Sequence, residues 1–330
     1  MQKNGISTEI YSLINNEEIR PSINLVISKC SAQDYLNNAI PNLEKMTVKY
    51  YDTFSIASRF TGYISNITIG DFFNDLSYES CGSTAILGGL NSTARKGNSQ
   101  NSSSSSSSSG SDKNSSSSEN SISQNTENHL KQENVVTNPN DLTAGTSSVS
   151  GKSGTENIGL AVFNKDKLCG ELTAIESICH LLITNNLDSC IIAIDNPMSS
   201  DKKMELSIMP KKKSKINVDT KDNKIKISLK ISLSANILTL EENVNYKDKE
   251  TLEKISSKTE DYLKKEFEKY LNKISKEYNS DIDHFCTKAL GHFSTNSEWE
   301  EFNWEEKFKN AEFNVDIDID EISSLLLTKT

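Results

Sequence analysis

Residues 224–234 alternate strictly: Ile225, Ile227, Leu229, Ile231 and Leu233 fall on one parity, Lys226, Ser228, Lys230 and Ser232 on the other. Period two sends successive side chains to opposite faces, so the pattern predicts a strand with one buried and one wet face. Across residues 247–278 the period changes. Leu252, Ile255, Thr259, Leu263, Phe267, Leu271, Ile274 and Tyr278 recur at steps of three and four, tracing one stripe along a helix of roughly eight turns. Near the end, Phe313, Val315, Ile317 and Ile319 alternate with Asn314, Asp316, Asp318 and Asp320, a second half-exposed strand. A sheet wet on one side and backed by a long amphipathic helix predicts an α+β domain.

The remaining pattern fills in around this frame. Residues 6–16 read as a short helix, and Pro21 gives an extended start to a strand over 23–28. Ser31 is a candidate N-cap for a helix to Asn38 that Pro41 ends. Residues 43–60 and 68–76 read as further helices and 83–87 as a small strand. Downstream, 158–163 is an apolar strand, 164–167 a polar turn, and Leu168 opens a returning strand. Residues 173–184 form a helix with Ile175, Ile178, Leu181 and Leu182 inward. Strands follow at 190–194, apolar throughout and so expected to be buried on both faces, and at 205–209. The downstream strands add up to one sheet of five or six. The class is α+β, with mixed or antiparallel sheets backed by long amphipathic helices, in more than one domain.

Between the two halves lie residues 91–157, with 21 serines, no aromatic residue and the unbroken run Ser102 to Ser109. So little apolar side chain cannot offset the entropy of ordering the backbone, which predicts a disordered insert. The chain therefore divides into an α/β region at 1–90, a linker at 91–157, and an α+β domain at 158–330.

A formal net charge of −10 over 330 residues leaves no basic surplus for a nucleic-acid partner. Lys211, Lys212, Lys213 and Lys215 are the one basic cluster. The simple reading is a solvated edge strand whose lysines block edge pairing; the sharper one is contact with anionic lipid headgroups. Six cysteines (30, 81, 169, 179, 190, 286) show no paired metal spacing and read as buried thiols. No apolar run is long enough to span a bilayer, and residues 1–20 do not form a signal peptide. Residues 23–30 end in a cysteine after an apolar stretch, but the stretch is too short for a lipoprotein signal and reads as the strand given above.

Candidate chemistry is thin. The glycine- and serine-rich stretch 145–153 has five residues between its glycines where a phosphate-binding loop needs four. His284, Cys286 and His292 lack further ligands at metal spacing, and His284 and Cys286 stand on different faces if helical. Trp299, Phe302, Trp304 and Phe308, among five glutamates, read as rings packed on a sheet, with a protein-binding hot spot as the alternative. Asp316, Asp318 and Asp320 lack the glycine and terminal glutamate of a calcium loop. No catalytic, cofactor-binding, metal or lipid-attachment residue is assigned. The competing class is a cytoplasmic thiol-dependent enzyme using Cys286 or Cys179, which requires an exposed cysteine of low pKa.

Several segments in order resemble the Ger(x)C family, the C subunit of spore germinant receptors. They are GLAVFNKDKLCG at 159–170, ELSIMPKKKSK at 205–215, the long Lys/Glu helix, YNSDIDHFCTKAL at 278–290 ahead of Trp299 and Trp304, and FNVDIDIDEI near the end. Upstream, EIRPSINLVISKCSA at 18–32 and ITIGDFFNDL at 67–76 fit as well. The resemblance implies a non-enzymatic subunit without cofactor, lipid-anchored on the outer face of the spore inner membrane and assembled with membrane-embedded A and B subunits. Members of the family begin with a lipoprotein signal and a modified cysteine. The sequence given starts past both, which implies a truncated product, anchorless as given, or a nonfunctional remnant.

Overall fold

The computed structural model of the chain describes residues 5–40, 49, 51, 53–78, 80–91, 139–147, 153–199, 201–240 and 244–324. Residues 92–138 and 148–152, most of the stretch read as disordered, lie outside these, as does much of the helix expected at 43–60.

The fold holds two sheets. The first contains β1 (Val26–Ser28), β2 (Ser83–Leu90), β3 (Thr155–Asn164) and β4 (Lys167–Leu172) in that spatial order. β1 runs parallel to β2, and β2, β3 and β4 are antiparallel. Both faces of its centre are covered. Ala161 and Phe163 of β3 face a core with Ile10 and Phe72, while Leu160 and Val162 face the main core. Ile10 comes from α1 (Ser7–Ile14) and Phe72 from α4 (Ile69–Ser77), which Thr68 caps through a reciprocal pair with Asp71. Of two short helices, α2 (Ala32–Asn38), capped by Ser31, packs on β2, while α3 (Phe54–Thr61) lies beside residues 188–195, its Arg59 carbonyl accepting from the Asp188 N–H.

The expectation of one downstream sheet of five or six strands is corrected here: β3 and β4 join the first sheet, β3 pairing with β2 across the Ser-rich stretch. The reason lies in β2, whose eight residues are all buried and whose hydrogen-bonding edge needs a partner. The ends of that stretch are ordered as well. Thr155 starts β3, Asn91 N–H donates to the Gly154 carbonyl, and Asn140 pairs with Ala193 through both backbone groups.

The second sheet contains β5 (Cys190–Asp195), β6 (Lys203–Pro210), β7 (Lys215–Asp219), β8 (Lys226–Ile237) and β9 (Glu312–Ser324). β6 and β7 both pair with one side of the long β8, and β9 runs parallel along the other. The alternation read from the sequence sorts as expected: Ile227, Leu229, Ile231 and Leu233 are buried, while Lys226 and Lys230 are exposed. The aspartates of β9 find their account here. The register sets Lys226 opposite Glu312 and Lys230 opposite Asp316, as ion pairs of 3.7 and 3.3 Å. Lys211 to Lys213 occupy the turn before β7, not an edge strand, and Lys211 reaches Asp320 at 3.4 Å. β5 is an edge strand, and its Ile191 is 50% exposed on the face opposite Ile192 and Ile194, so the expectation of burial on both faces fails there. Asn140 supplies the amide groups that a neighbouring strand would have given.

Helix α5 (Ala174–Thr184), opened by a Thr173–Glu176 capping box, bridges the sheets. Nine of its eleven residues are buried, as a helix covered on all sides requires. The long helix α6 (Lys249–Asn272), capped by Asp248, buries Ile255, Leu263, Phe267, Tyr270 and Leu271 against the same core and ends in one π turn, Lys273–Glu277. Each such side chain contributes about 1.5–3 kcal/mol of burial. No helix among the described residues is long and apolar enough to cross a membrane.

Candidate functional site

The π turn that ends α6 releases the chain into residues 278–284, which form the seam between the two sheets. Tyr278 Oη donates to the Glu171 carbonyl at 2.9 Å and accepts from the Glu171 N–H at 3.2 Å. Its ring lies where a Cβ on Gly170 would stand, 2.1 Å from the nearest ring atom, so β4 tolerates only glycine there. Asn164 Nδ2 donates to the Asn279 carbonyl at 2.8 Å, and Ser280 Oγ to the Phe163 carbonyl at 2.7 Å. Gly82 N–H donates to the Asp281 carbonyl at 3.0 Å. The first sheet is thus stitched to this segment from three of its strand ends.

Asp281 and Asp283 point opposite ways from the seam. Asp281 accepts from the N–H groups of Phe285 (3.0 Å) and Cys286 (2.7 Å) and from Trp304 Nε1 (3.1 Å). It thereby satisfies the first turn of α7 (Phe285–Leu290) and fixes one indole. Burial pushes its carboxyl up to about 7, partly opposed by the Cys286 and Phe285 amides. Asp283 accepts from His180 Nδ1 at 2.8 Å and from Tyr270 Oη at 2.9 Å, tying α5 and α6 together. All three of these side chains are buried. A histidine, a carboxylate and a phenol in such an enclosed place position helices and meet no solvent-borne substrate.

The cysteines depart from the expectation of six thiols. Cys81, just before β2, and Cys286, on α7, are joined by a disulfide across 205 residues of sequence. No local spacing announces a pair so far apart. Cys179 is fully enclosed, and burial pushes its thiol well up and that of Cys190 to about 12. The thiol-enzyme reading therefore loses both its residues: the sulfur of Cys286 is bonded, and Cys179 is neither exposed nor acidic. Of the other seam histidine, His284 Nε2 lies 3.5 Å from Asp75 of α4, a second link between the regions. Burial, then Asp71, pushes Asp75 up to about 7, and burial pulls His284 down. In the described part of the 145–153 stretch, Gly145 N–H donates to the Glu156 carboxylate.

Beside the disulfide the seam opens into a cleft of about 450 Å³. One wall is Ser77, Tyr78, Ser80 and Cys81 from the end of α4 and the turn beyond it. The other comes from α7, from α8 (Asn296–Phe302) and from α9 (Trp304–Phe308), including Trp299, Glu300, Trp304 and Glu305. Trp299 and Trp304 stack at 5.7 Å between centroids, and Trp304 stacks on Phe308 at 6.0 Å, which continues edge-to-face to Phe313 of β9 at 6.3 Å. The aromatic segment packs its rings onto the sheet as expected, and one end of the stack reaches the cleft. Lys165, in the β3–β4 turn, leans over the opening to Glu305 at 3.0 Å. The sequence marks the tryptophans and glutamates but not their partner wall, because Tyr78 comes from the end of α4 and Lys165 from the β3–β4 turn, both far away along the chain. Among the described residues no group of three or more His, Cys, Asp or Glu side chains is placed to hold a metal ion.

Comparison with known proteins follows the same two-part division. Residues 158–323 match the family described as spore germination B3/GerAC like, C-terminal, and residues 1–92 match the spore germination protein N-terminal domain. Among solved structures, the crystal structure of the GerBC protein superposes with a TM-score of 0.60 over 98% of this chain and 76% of that one, at 13% identity. At that identity the likeness is one of fold. No curated protein matches the chain.

Proposed function

The chain belongs to the spore germination GerAC-like family, and on that premise we propose that it is the C subunit of a germinant receptor. It acts there in receptor assembly or signal coupling, as a binding component and not a catalyst. Its partners are the membrane-embedded A and B subunits, and its place is the extracytoplasmic face of the spore inner membrane, held by a lipid anchor. The observation that carries the reading is the Cys81–Cys286 disulfide at the seam of the two matched regions. Such bonds persist in oxidising compartments and are rare in reducing cytosol. Physically the two regions are one body, joined by the β2–β3 ladder and by residues 278–284 as well.

The test is affinity purification of a tagged chain from detergent-solubilised spore inner membranes, after brief cross-linking. Recovery of the A and B subunits in fixed proportion is the expected result. Recovery of the chain alone from the soluble fraction, with nutrient-triggered germination unchanged in its deletion strain, would refute the assignment.

A further inference from the structure

We infer that the seam cleft is a binding site for an organic cation, an ammonium or guanidinium group on a short aliphatic stem. The ligand class follows from the walls alone and holds whatever complex the chain joins. Three rings line the cleft: Tyr78, 59% exposed on the α4 side, and opposite it the half-buried Trp299, stacked on the buried Trp304. Aromatic faces within about 6 Å attract cations electrostatically and shelter an aliphatic stem. Of the described charged residues in the lining, Glu300 and Glu305 are acidic and Lys165 alone is basic. Lys165 is committed to Glu305, whereas the Glu300 carboxylate has no ion-pair or hydrogen-bond partner among the described residues. The cleft thus presents one uncompensated negative charge beside the exposed Tyr78 ring and the half-buried Trp299 ring. A neutral ligand leaves that charge unpaired, and an anion is repelled by it.

Two lysines of the chain display the same preference. The Lys165 ammonium comes to the carboxylate at the mouth, and the Lys307 ammonium sits 3.9 Å from the centre of the Phe302 ring on the outer flank of the same segment. The volume of about 450 Å³ falls within the range of small-ligand sites, and the walls come from both matched regions. A bound cation therefore bridges them.

Trp299 and Trp304 are the only two tryptophans in the sequence, so intrinsic fluorescence reports on this cleft. The purified chain is titrated with n-butylammonium, with n-butanol and butyrate as neutral and anionic near-isosteres, and with Nα-acetyl-lysine amide as a cation carried on a peptide backbone. Saturable quenching by n-butylammonium and none by butanol or butyrate is the expected result. Glu300→Gln, at an exposed position, weakens binding about fivefold. Lys165→Gln, which frees Glu305, strengthens it, an effect that a merely structural role would not produce. Stronger binding of n-butylammonium assigns the site to a free amine, and stronger binding of the capped lysine assigns it to a partner's basic side chain. Absence of saturation by either cation, equal response to butanol, or indifference to both substitutions overturns the inference.

Discussion

Replacing Cys81 and Cys286 by serine tests the seam most directly. The bond closes a separation of 205 residues, and in the chain-entropy account its stabilising effect grows with the logarithm of the loop, reaching about 5 kcal/mol at 25 °C for that length. The figure is an upper bound, because a compact unfolded chain already holds its ends closer than a random coil does. A loss of about 3–5 kcal/mol is therefore expected for Cys81→Ser/Cys286→Ser, measured by urea unfolding followed through tryptophan fluorescence. Trp304 is a sensitive reporter, since its indole donates to Asp281, whose carboxylate also caps the helix carrying Cys286. The bond is verified first by counting thiols in denaturant: four of the six cysteines react before reduction and six after it. Six reactive thiols without reductant in protein exported to an oxidising compartment, or a double variant as stable as the parent, would refute the reasoning. The first outcome would also remove the chief physical support for an extracytoplasmic location.

Four further outcomes are expected. Asp281 carries a folded-state pKa of about 7, above its unfolded value, so its contribution is present at low pH and is lost as pH rises through 7. The stability advantage of the parent over Asp281→Asn is then larger at pH 5 than at pH 7.5 in urea titrations, and a constant or growing advantage would contradict the assignment. Gly170→Ala drives a methyl into the Tyr278 ring and lowers stability by about 1–3 kcal/mol, read as a fall in Tm. Asn140→Ala strips Ala193 of partners for its N–H and carbonyl; the expected cost is about 1–3 kcal/mol, with concentration-dependent self-association by light scattering as the β5 edge opens. Lys230→Ala, whose pairing with Asp316 is about 60% exposed on both sides, changes stability by less than about 1 kcal/mol.

What the sequence made legible was whatever depends on neighbours in the chain. The alternation of β8 and β9, the stripe of α6 and the cap at Ser31 are local, and each element lies within a few residues of where its pattern placed it. What stayed hidden depends on distant partners. The pairing of β2 with β3 joins residues on either side of a long polar stretch, and an apolar strand such as 158–163 carries no mark of which sheet it enters. Ile191 is exposed on the face of β5 opposite Ile192 and Ile194, and which face another element covers is not encoded in composition. Asn140 lay in sequence read as linker, although its side chain completes that edge. Of the cleft, the ring-and-carboxylate wall was visible as a cluster at 299–308, but the wall facing it was not.

The placement of these polar groups has a physical logic. Apolar packing alone would join the two sheets at lower desolvation cost, but it tolerates sliding, since many side-chain arrangements fill the same volume. A buried carboxylate is stable only with its hydrogen bonds made, so Asp281 and Asp283 are satisfied in one arrangement of α5, α6, α7 and Trp304. Specificity of orientation is what such a network can supply, and here it fixes the aromatic wall of the cleft. The disulfide then ties to it the wall bearing Tyr78, three residues before Cys81. Together the network and the disulfide hold one defined angle between the two sheets. Loosening the seam at Asp281 should therefore disturb the cleft before it unfolds either sheet: the fluorescence of the tryptophans in Asp281→Asn changes at urea concentrations where the circular dichroism of the strands remains native. Coincident loss of both signals would show that the seam and the sheets unfold as one cooperative unit.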